Sequence, residues 1–169
     1  YNFENTKQFF KFVNDKYVLI FVYRHITLSS CGVLPKMYEL ADLNIPINLA
    51  LSLHSPFDEK RAEIMPVAKA YKVKDLIKAC QNYIDKTNRR VTFEYSLIKG
   101  VNDSKAESDE ISRLLKGMLC HVNLIPINKD EERDFERPDK TYIYKFRDAL
   151  EKNKIPTTVR NSMGSDIGG

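Results

Sequence analysis

Polar side chains occur where four predicted strands end. Ser29, Ser52, His54, Ser96 and Asn128 supply hydroxyls, an imidazole and an amide at these places. Ligands bind beyond the carboxyl ends of the strands in parallel α/β sheets, so we expect these groups to lie close together. Such groups suit a polar, uncharged ligand rich in hydroxyls and ring nitrogens. A Ser-Leu-His segment alone is equally compatible with ordinary capping of a strand end.

The strands that position these groups have one polar and one apolar face. In VTFEYSL, Thr92, Glu94 and Ser96 alternate with apolar residues, and RHITLS, INLALSLH and HVNLI follow the same rule. Strands covered on both faces would be almost continuously apolar, so the polar face is expected to line a cavity, as in an open α/β barrel with a ligand in its lumen. A half-buried antiparallel sheet would alternate similarly, but the helical patterns between these strands argue against hairpins.

Helical and strand patterns alternate along the chain. Helices are predicted at 5–14, 35–42, 58–64, 73–87, after a capping box at Ser104–Glu107, and at 141–152. Strands are predicted at 24–29, 47–53, 91–98, 121–127 and after Pro156. This order predicts right-handed crossovers and a parallel sheet. The expected fold class is therefore α/β, a partial (β/α) barrel of about four βα units plus a last strand, in a single domain over residues 1–169.

Composition and charge exclude few classes of protein. The chain has 169 residues, 43% hydrophobic and 30% charged, which suits one folded domain, and no apolar run is long enough to span a membrane. A net charge of +4 permits nucleic acid as a partner without requiring it. No signal peptide is visible, and because the chain begins at Tyr1 rather than Met we expect a piece of a longer protein.

The three cysteines predict no metal site within this chain. Cys31, Cys80 and Cys120 are too far apart in sequence for a zinc or iron–sulfur motif. We expect them to be small buried hydrophobic residues. An odd, sparse set of cysteines is typical of a reducing compartment, so a cytoplasmic location is expected.

Several motifs occur together in a recognisable order. They are RHITLSSCG, INLALSLHSP, the GVND turn, HVNLIPIN, an ERDFERP loop and the tail R-x-x-x-G-x-D-I. Together they resemble the RlmN/Cfr family of radical S-adenosylmethionine (SAM) methyltransferases, which act on adenine in RNA. The match runs from about residue 3 to residue 167. No motif is specific alone, but the ordered set is highly specific.

The resemblance implies a partial barrel of six βα units, of which this chain would supply the third to sixth strands and the C-terminal portion. It also implies that Ser29, Ser52, Leu53, His54 and Asn128 contact SAM. All of these except Leu53 are also strand-end residues identified from the pattern alone. The implied partners are ribosomal RNA and transfer RNA, and no membrane.

Parts of the family's machinery are missing from this sequence. The motif CxxxCxxC, which binds a [4Fe–4S] cluster, and a GEP-type segment lie upstream in the family, as does a second functional cysteine. The family's tail continues from Asp-Ile into a cysteine that is methylated as an intermediate, whereas here Asp166 and Ile167 precede Gly168 and Gly169. Val18 and Val22 stand where the family has glycines, and Ser30 replaces a usual threonine. No catalytic residue is therefore assigned, and the isolated chain is predicted to be inactive.

The resemblance predicts methylation of C2 of adenine in 23S rRNA, and also in tRNA, through a methyl-cysteine intermediate in the parent protein. One alternative is the antibiotic-resistance branch of the family, which methylates C8. A second is a truncated fragment that folds without doing chemistry, and a third is an unrelated α/β-barrel enzyme for a small metabolite. Without the two preceding strands, strand 24–29 would have an open edge beside the apolar run 18–23. Such an edge predicts self-association.

Overall fold

Five parallel strands form one sheet, in which each strand pairs with the next one along the chain. The computed structural model describes residues 2–13, 23, 25–127 and 135–160. The strands there are β1 (Thr27–Ser30), β2 (Asn48–Ser52), β3 (Val91–Leu97), β4 (Cys120–Pro126) and β5 (Thr157–Val159). The helices are α1 (Phe3–Val13), α2 (Leu34–Asp42), α3 (Asp58–Ile64), α4 (Val73–Thr87), α5 (Lys105–Leu114) and α6 (Lys140–Lys152), with a 3₁₀ helix at Pro66–Ala70.

The predicted α/β fold class is confirmed. A helix lies between consecutive strands throughout the sheet, and parallel pairing requires such crossovers. The predicted elements all occur: the helices at 58–64 and 73–87 have the predicted bounds, and the bounds of the others shift by at most three residues. The sequence patterns did not predict the 3₁₀ helix, which begins at Pro66, where a proline suits the first position of a helical turn.

The two faces of the sheet differ as the alternation predicts. In β3 and β4 the burial pattern alternates strictly between buried and half-buried residues. The side chains on the buried face are Val91, Phe93, Tyr95, Leu97, Cys120, Val122 and Leu124. They pack in one core cluster with apolar residues of the helices. The helices therefore cover the apolar face of the sheet. The polar residues of the strands, which alternate with the apolar ones, lie on the opposite face.

Helix α4 anchors the amino end of β2. Its apolar stripe includes Leu76, Cys80 and Tyr83, which are fully buried. The Tyr83 hydroxyl donates a hydrogen bond of 2.9 Å to the carbonyl of Ile47, just before β2 begins. Cys80 is therefore a buried hydrophobic residue, as predicted. Cys120 is buried as well, on β4, whereas Cys31 is only half-buried.

The N-terminus of α5 differs in detail from the predicted capping box. The Ser104 oxygen accepts a hydrogen bond of 3.2 Å from the amide of Ala106, and its hydroxyl donates to the carboxylate of Glu107. The same buried carboxylate is paired with Lys60, on α3. Burial raises the pKa of Glu107, but the hydrogen bonds from Lys60 and Ser104 outweigh it and hold the pKa below its usual value. This pair ties α3 to the first turn of α5.

Strand β1 lies at one edge of the described sheet, with β2 as its partner there. The apolar run at 18–22 that was expected to flank this edge falls outside the described residues, and so does Arg24. No helix in the described part of the chain is both long enough and apolar enough to cross a membrane.

Candidate functional site

The chain turns sharply where β2 ends. The backbone amides of Leu53 and His54, the two residues that follow β2, both donate to the carbonyl of Glu94, at 2.9 and 3.4 Å, so they share one acceptor on β3. His54 has a φ of 57°, in the left-handed region that non-glycine residues seldom adopt. The backbone thus places the His54 ring at the carboxyl edge of the sheet.

The hydrogen bonds of the His54 ring define its tautomer. The amide of Ser96 donates to Nδ1 at 3.0 Å. An amide can only donate, so Nδ1 carries no proton and Nε2 carries it. Burial and, secondarily, the positive charge of Arg61 lower the pKa of His54 to about 4. At neutral pH the ring is therefore an uncharged donor with a fixed orientation.

This pKa predicts that acid destabilises the protein through His54. In the unfolded chain the imidazole has a pKa of 6.5, and in the fold it has a pKa of about 4. The unfolded state therefore binds more protons between these values, and stability falls as the pH is lowered from 6.5 to 4. The loss attributable to His54 is up to about 3 kcal/mol. Urea unfolding of the wild type and of His54→Asn across this range measures it. A wild-type curve parallel to that of the variant would contradict the prediction.

Asn102 holds this turn from the side of β3. Its side chain is fully buried, and its Nδ2 donates to the carbonyls of His54 and Ser96, both at 2.7 Å. Its Oδ1 accepts from the amide of Ile98 at 2.8 Å, and its carbonyl accepts from the Tyr95 hydroxyl at 2.8 Å. One amide side chain therefore joins the ends of β2 and β3. Sequence reasoning identified this turn but not the role of Asn102.

Arg61, on α3, holds the turn from the other side. Its side chain is 1% exposed. Its Nε donates to the carbonyl of Leu53 at 3.0 Å, and its Nη2 donates to the carbonyls of Cys31 and Ser52 at 2.8 and 2.9 Å. Burial lowers the pKa of the guanidinium. Sequence reasoning missed this residue, because nothing in a short amphipathic helix marks an arginine that points inward.

Gly32 provides the space for this arrangement. It has a φ of +93°, and an added Cβ would lie 3.0 Å from the Leu76 methyl groups and 3.3 Å from Nη2 of Arg61. We therefore expect Gly32→Ala to lower the free energy of unfolding by about 1–3 kcal/mol, through backbone strain and crowding. Urea unfolding tests this, with Gly117→Ala as control: Gly117 has a φ of +75° and nothing within 4 Å of the added Cβ. Equal losses in the two variants would show that crowding at Gly32 has no effect.

The polar residues of the strands lie in rows across the sheet, on the face that leads up to the His54 turn. Residues in register on neighbouring strands share a face, and Ser52, Glu94, Asn123 and Thr158 form one such row across β2–β5. Asn123 Nδ2 donates to both carboxylate oxygens of Glu94, at 3.3 and 3.1 Å. Thr158 donates to Asn123 Oδ1 at 3.3 Å. Among the described strand residues Glu94 is the only acidic side chain, and this network orients it.

The predicted site residues are distributed as follows. Ser52, His54 and Ser96 lie together at the carboxyl edge. Ser29 is in register with Ala50, one row further from that edge. The Leu53 side chain is 1% exposed. Its amide donates a hydrogen bond to the carbonyl of Glu94 and its carbonyl accepts one from Arg61, so its backbone, rather than its side chain, forms part of the turn.

Asn128 lies outside the described residues. Cofactor contacts of all five residues (Ser29, Ser52, Leu53, His54 and Asn128) remain predictions.

Comparison with known proteins identifies the type of barrel. The chain is 71% identical over 168 residues to a probable dual-specificity RNA methyltransferase RlmN of Clostridioides difficile (strain 630). The matched region is 99% of this chain and 49% of that protein. It is 53% identical over 167 residues to the protein of the same description from Alkaliphilus oremlandii (strain OhILAs), with the same coverage. Over its whole length the chain is therefore similar to about half of each of these RlmN proteins. No family model matches the chain.

Solved structures agree with this similarity. A radical SAM methyltransferase from Sphaerobacter thermophilus superposes with a TM-score of 0.89 at 43% identity, over 98% of this chain and 49% of that one. A domain of a pyruvate-formate lyase-activating enzyme from Bacteroides vulgatus ATCC 8482 gives a TM-score of 0.62 at 14% identity, which is a likeness of fold alone. The chain spans about half the length of the RlmN/Cfr relatives that it matches.

The radical SAM type of the matched methyltransferase implies SAM and a [4Fe–4S] cluster in a whole protein of that type. The strand-end groups fit SAM, because a neutral imidazole donor and serine hydroxyls suit an adenosine that carries hydroxyls and ring nitrogens. The cysteines do not fit the cluster. Cys80 and Cys120 are buried, and burial raises the pKa of Cys120 to about 11, whereas cluster ligands are thiolates. Among the described residues no group of three acidic, histidine or cysteine side chains could hold a metal ion.

Proposed function

We propose that this chain is the C-terminal portion, a single domain, of a radical SAM methyltransferase that methylates C2 of adenine in 23S rRNA and in tRNA. The observation that carries the proposal is the fixed His54 turn beside Ser52 on the polar face of a barrel whose sequence matches RNA methyltransferases named RlmN. We further propose that the whole protein acts in the cytoplasm, where these RNAs are modified.

Five residues of this chain would hold the cofactor. His54 would donate a hydrogen bond from Nε2, Ser29 and Ser52 would supply hydroxyls, and Asn128 would supply an amide. Leu53 would fix the backbone between Ser52 and His54. SAM supplies the methyl group and, when reduced, the radical chemistry that an unactivated adenine carbon requires. The residues described above bind and orient it, and the lumen excludes water from one side. The cluster ligands and the methyl-accepting cysteine would come from outside this chain, so we propose that the chain alone is inactive.

The proposal is tested with the full-length protein that contains this chain. The protein is reconstituted anaerobically with iron and sulfide, and then incubated with SAM, a reductant and either a 23S rRNA fragment or unmodified tRNA. Mass spectrometry of the nucleosides should show 2-methyladenosine from both RNAs. Formation of 8-methyladenosine instead would assign the protein to the C8 branch. Absence of any methylated adenosine from a cluster-loaded sample would refute the proposal.

The isolated chain is proposed to self-associate through β1, because an edge strand has unpaired backbone groups along one side. Light scattering at tens of micromolar should show a dimer or larger species. A variant with Thr27→Pro, which removes a backbone donor at the edge, should shift the distribution towards monomer. A monomer in the unaltered chain would contradict the proposal.

A further inference from the structure

Arg61 joins the ends of two neighbouring strands through their backbones. Its carbonyl partners are Cys31, just after β1, and Ser52 and Leu53, at the end of β2. Three charge-assisted hydrogen bonds from one planar guanidinium fix the relative position of these carbonyls more firmly than neutral side chains would. Ser52 and Leu53 precede His54 directly, so the guanidinium also fixes the start of the His54 turn.

Stability alone does not account for an arginine at this position. The guanidinium is buried, its Nη1 has no hydrogen-bond partner, and the charge of Asp58 acts on it. Removing a charge from water costs several kcal/mol, and apolar residues of similar volume often replace buried ion pairs without loss of stability. Buried polar groups of this kind can instead specify one conformation.

The surroundings of Arg61 are those expected of a residue that positions the backbone around it. Gly32 leaves room for Nη2, because an added Cβ there would lie 3.3 Å from Nη2 and 3.0 Å from the Leu76 methyl groups. Asn102 holds the carbonyl of His54, and Ser96 holds its ring. Arg61 is thus one of three groups that fix the turn, and it is the one that connects the turn to β1, where Ser29 lies.

We propose that Arg61 is a positioning residue for the SAM site, which acts through the carbonyls of Cys31, Ser52 and Leu53 to set the distance between the Ser29 strand and the His54 donor. This inference rests on the proposed function, because it assumes that SAM binds at these strand ends. Arg61 itself touches backbone and does not need to touch the cofactor.

The first test compares Arg61→Met and Arg61→Lys with the wild type, in the full-length reconstituted protein. Equilibrium dialysis with labelled SAM should show at least tenfold weaker binding for Arg61→Met, and three- to tenfold weaker binding for Arg61→Lys, whose compact ammonium lacks the planar fork of donors that reaches three fixed carbonyls. In steady-state assays the KM for SAM should rise while the KM for RNA changes less than twofold. Tyr83→Phe, which loses a buried hydrogen bond at the opposite end of β2, is the matched control and should bind SAM as the wild type does.

The second test is spectroscopic and needs no bound cluster. In full-length protein labelled with ¹⁵N-histidine, the His54 signals (assigned with His54→Asn) should change tautomer balance or titrate at higher pH in both Arg61 variants, and not in Tyr83→Phe. Should Arg61→Met fail to fold, Arg61→Lys decides. Binding of SAM within twofold of the wild type by either folded variant, or equal rises in KM for SAM and RNA, would overturn the inference. A wild type that binds no SAM would instead refute the proposed function.

Discussion

Replacing Asn102 with alanine is expected to lower the free energy of unfolding by about 3 kcal/mol or more. The side chain is fully buried and makes three hydrogen bonds to backbone groups of Ile98, His54 and Ser96. Alanine offers neither a donor nor an acceptor, and the buried amide of Ile98 then loses its partner. Each buried polar group left unsatisfied costs about 1–3 kcal/mol.

Urea unfolding of the two proteins measures this loss. Asn153→Ala is the matched control, because Asn153 is exposed and makes one side-chain hydrogen bond, to the carbonyl of Ala149. That change should cost less than about 0.5 kcal/mol. Asn102→Asp should be at least as damaging as alanine, since it places a carboxylate oxygen against two carbonyls. A loss below about 1 kcal/mol in Asn102→Ala would show that the turn does not depend on this amide.

The fold could be predicted because its signals are local. The strict alternation in VTFEYSL fixes which residues of β3 face the helices, and the structure confirms it from Val91 to Leu97. The periodic apolar residues of α4 likewise follow from helix geometry alone. A parallel sheet then follows from the alternation of strands and helices, because each crossover must return the chain to the same end of the sheet.

The site could be predicted only in part, because its support is non-local. The polar residues at strand ends are visible in the sequence, since parallel strands bring their carboxyl ends to one edge. Arg61 and Asn102 were missed because their partners lie up to 30 and 48 residues away in the chain. In a charged helix such as DEKRAEI, nothing in the sequence distinguishes a buried arginine from a solvated one. Its burial and its hydrogen bonds to backbone carbonyls, which appear only in the folded chain, distinguish it.

Replacing His54 with asparagine is expected to weaken SAM binding by the full-length protein about tenfold, the equivalent of one lost hydrogen bond of about 1.4 kcal/mol. Asparagine tolerates the left-handed backbone that His54 adopts, with a φ of 57°, so the turn should persist. The change then removes mainly the Nε2 donor, whose orientation the Ser96 amide fixes.

His121→Asn is the matched control for this prediction. The His121 ring lies on the same polar face, but His121 is the second residue of β4, in register with Thr92 and one row further from the carboxyl edge than Asn123. Its Nε2 is 3.2 Å from the Thr158 hydroxyl, so it is engaged within the sheet. Equilibrium dialysis should therefore give His121→Asn an affinity for SAM within twofold of the wild type. The two rings share a face and differ in their distance from its carboxyl edge. Similar losses of SAM affinity in the two variants would therefore mean that the polar face as a whole, rather than the donor at the strand end, governs binding.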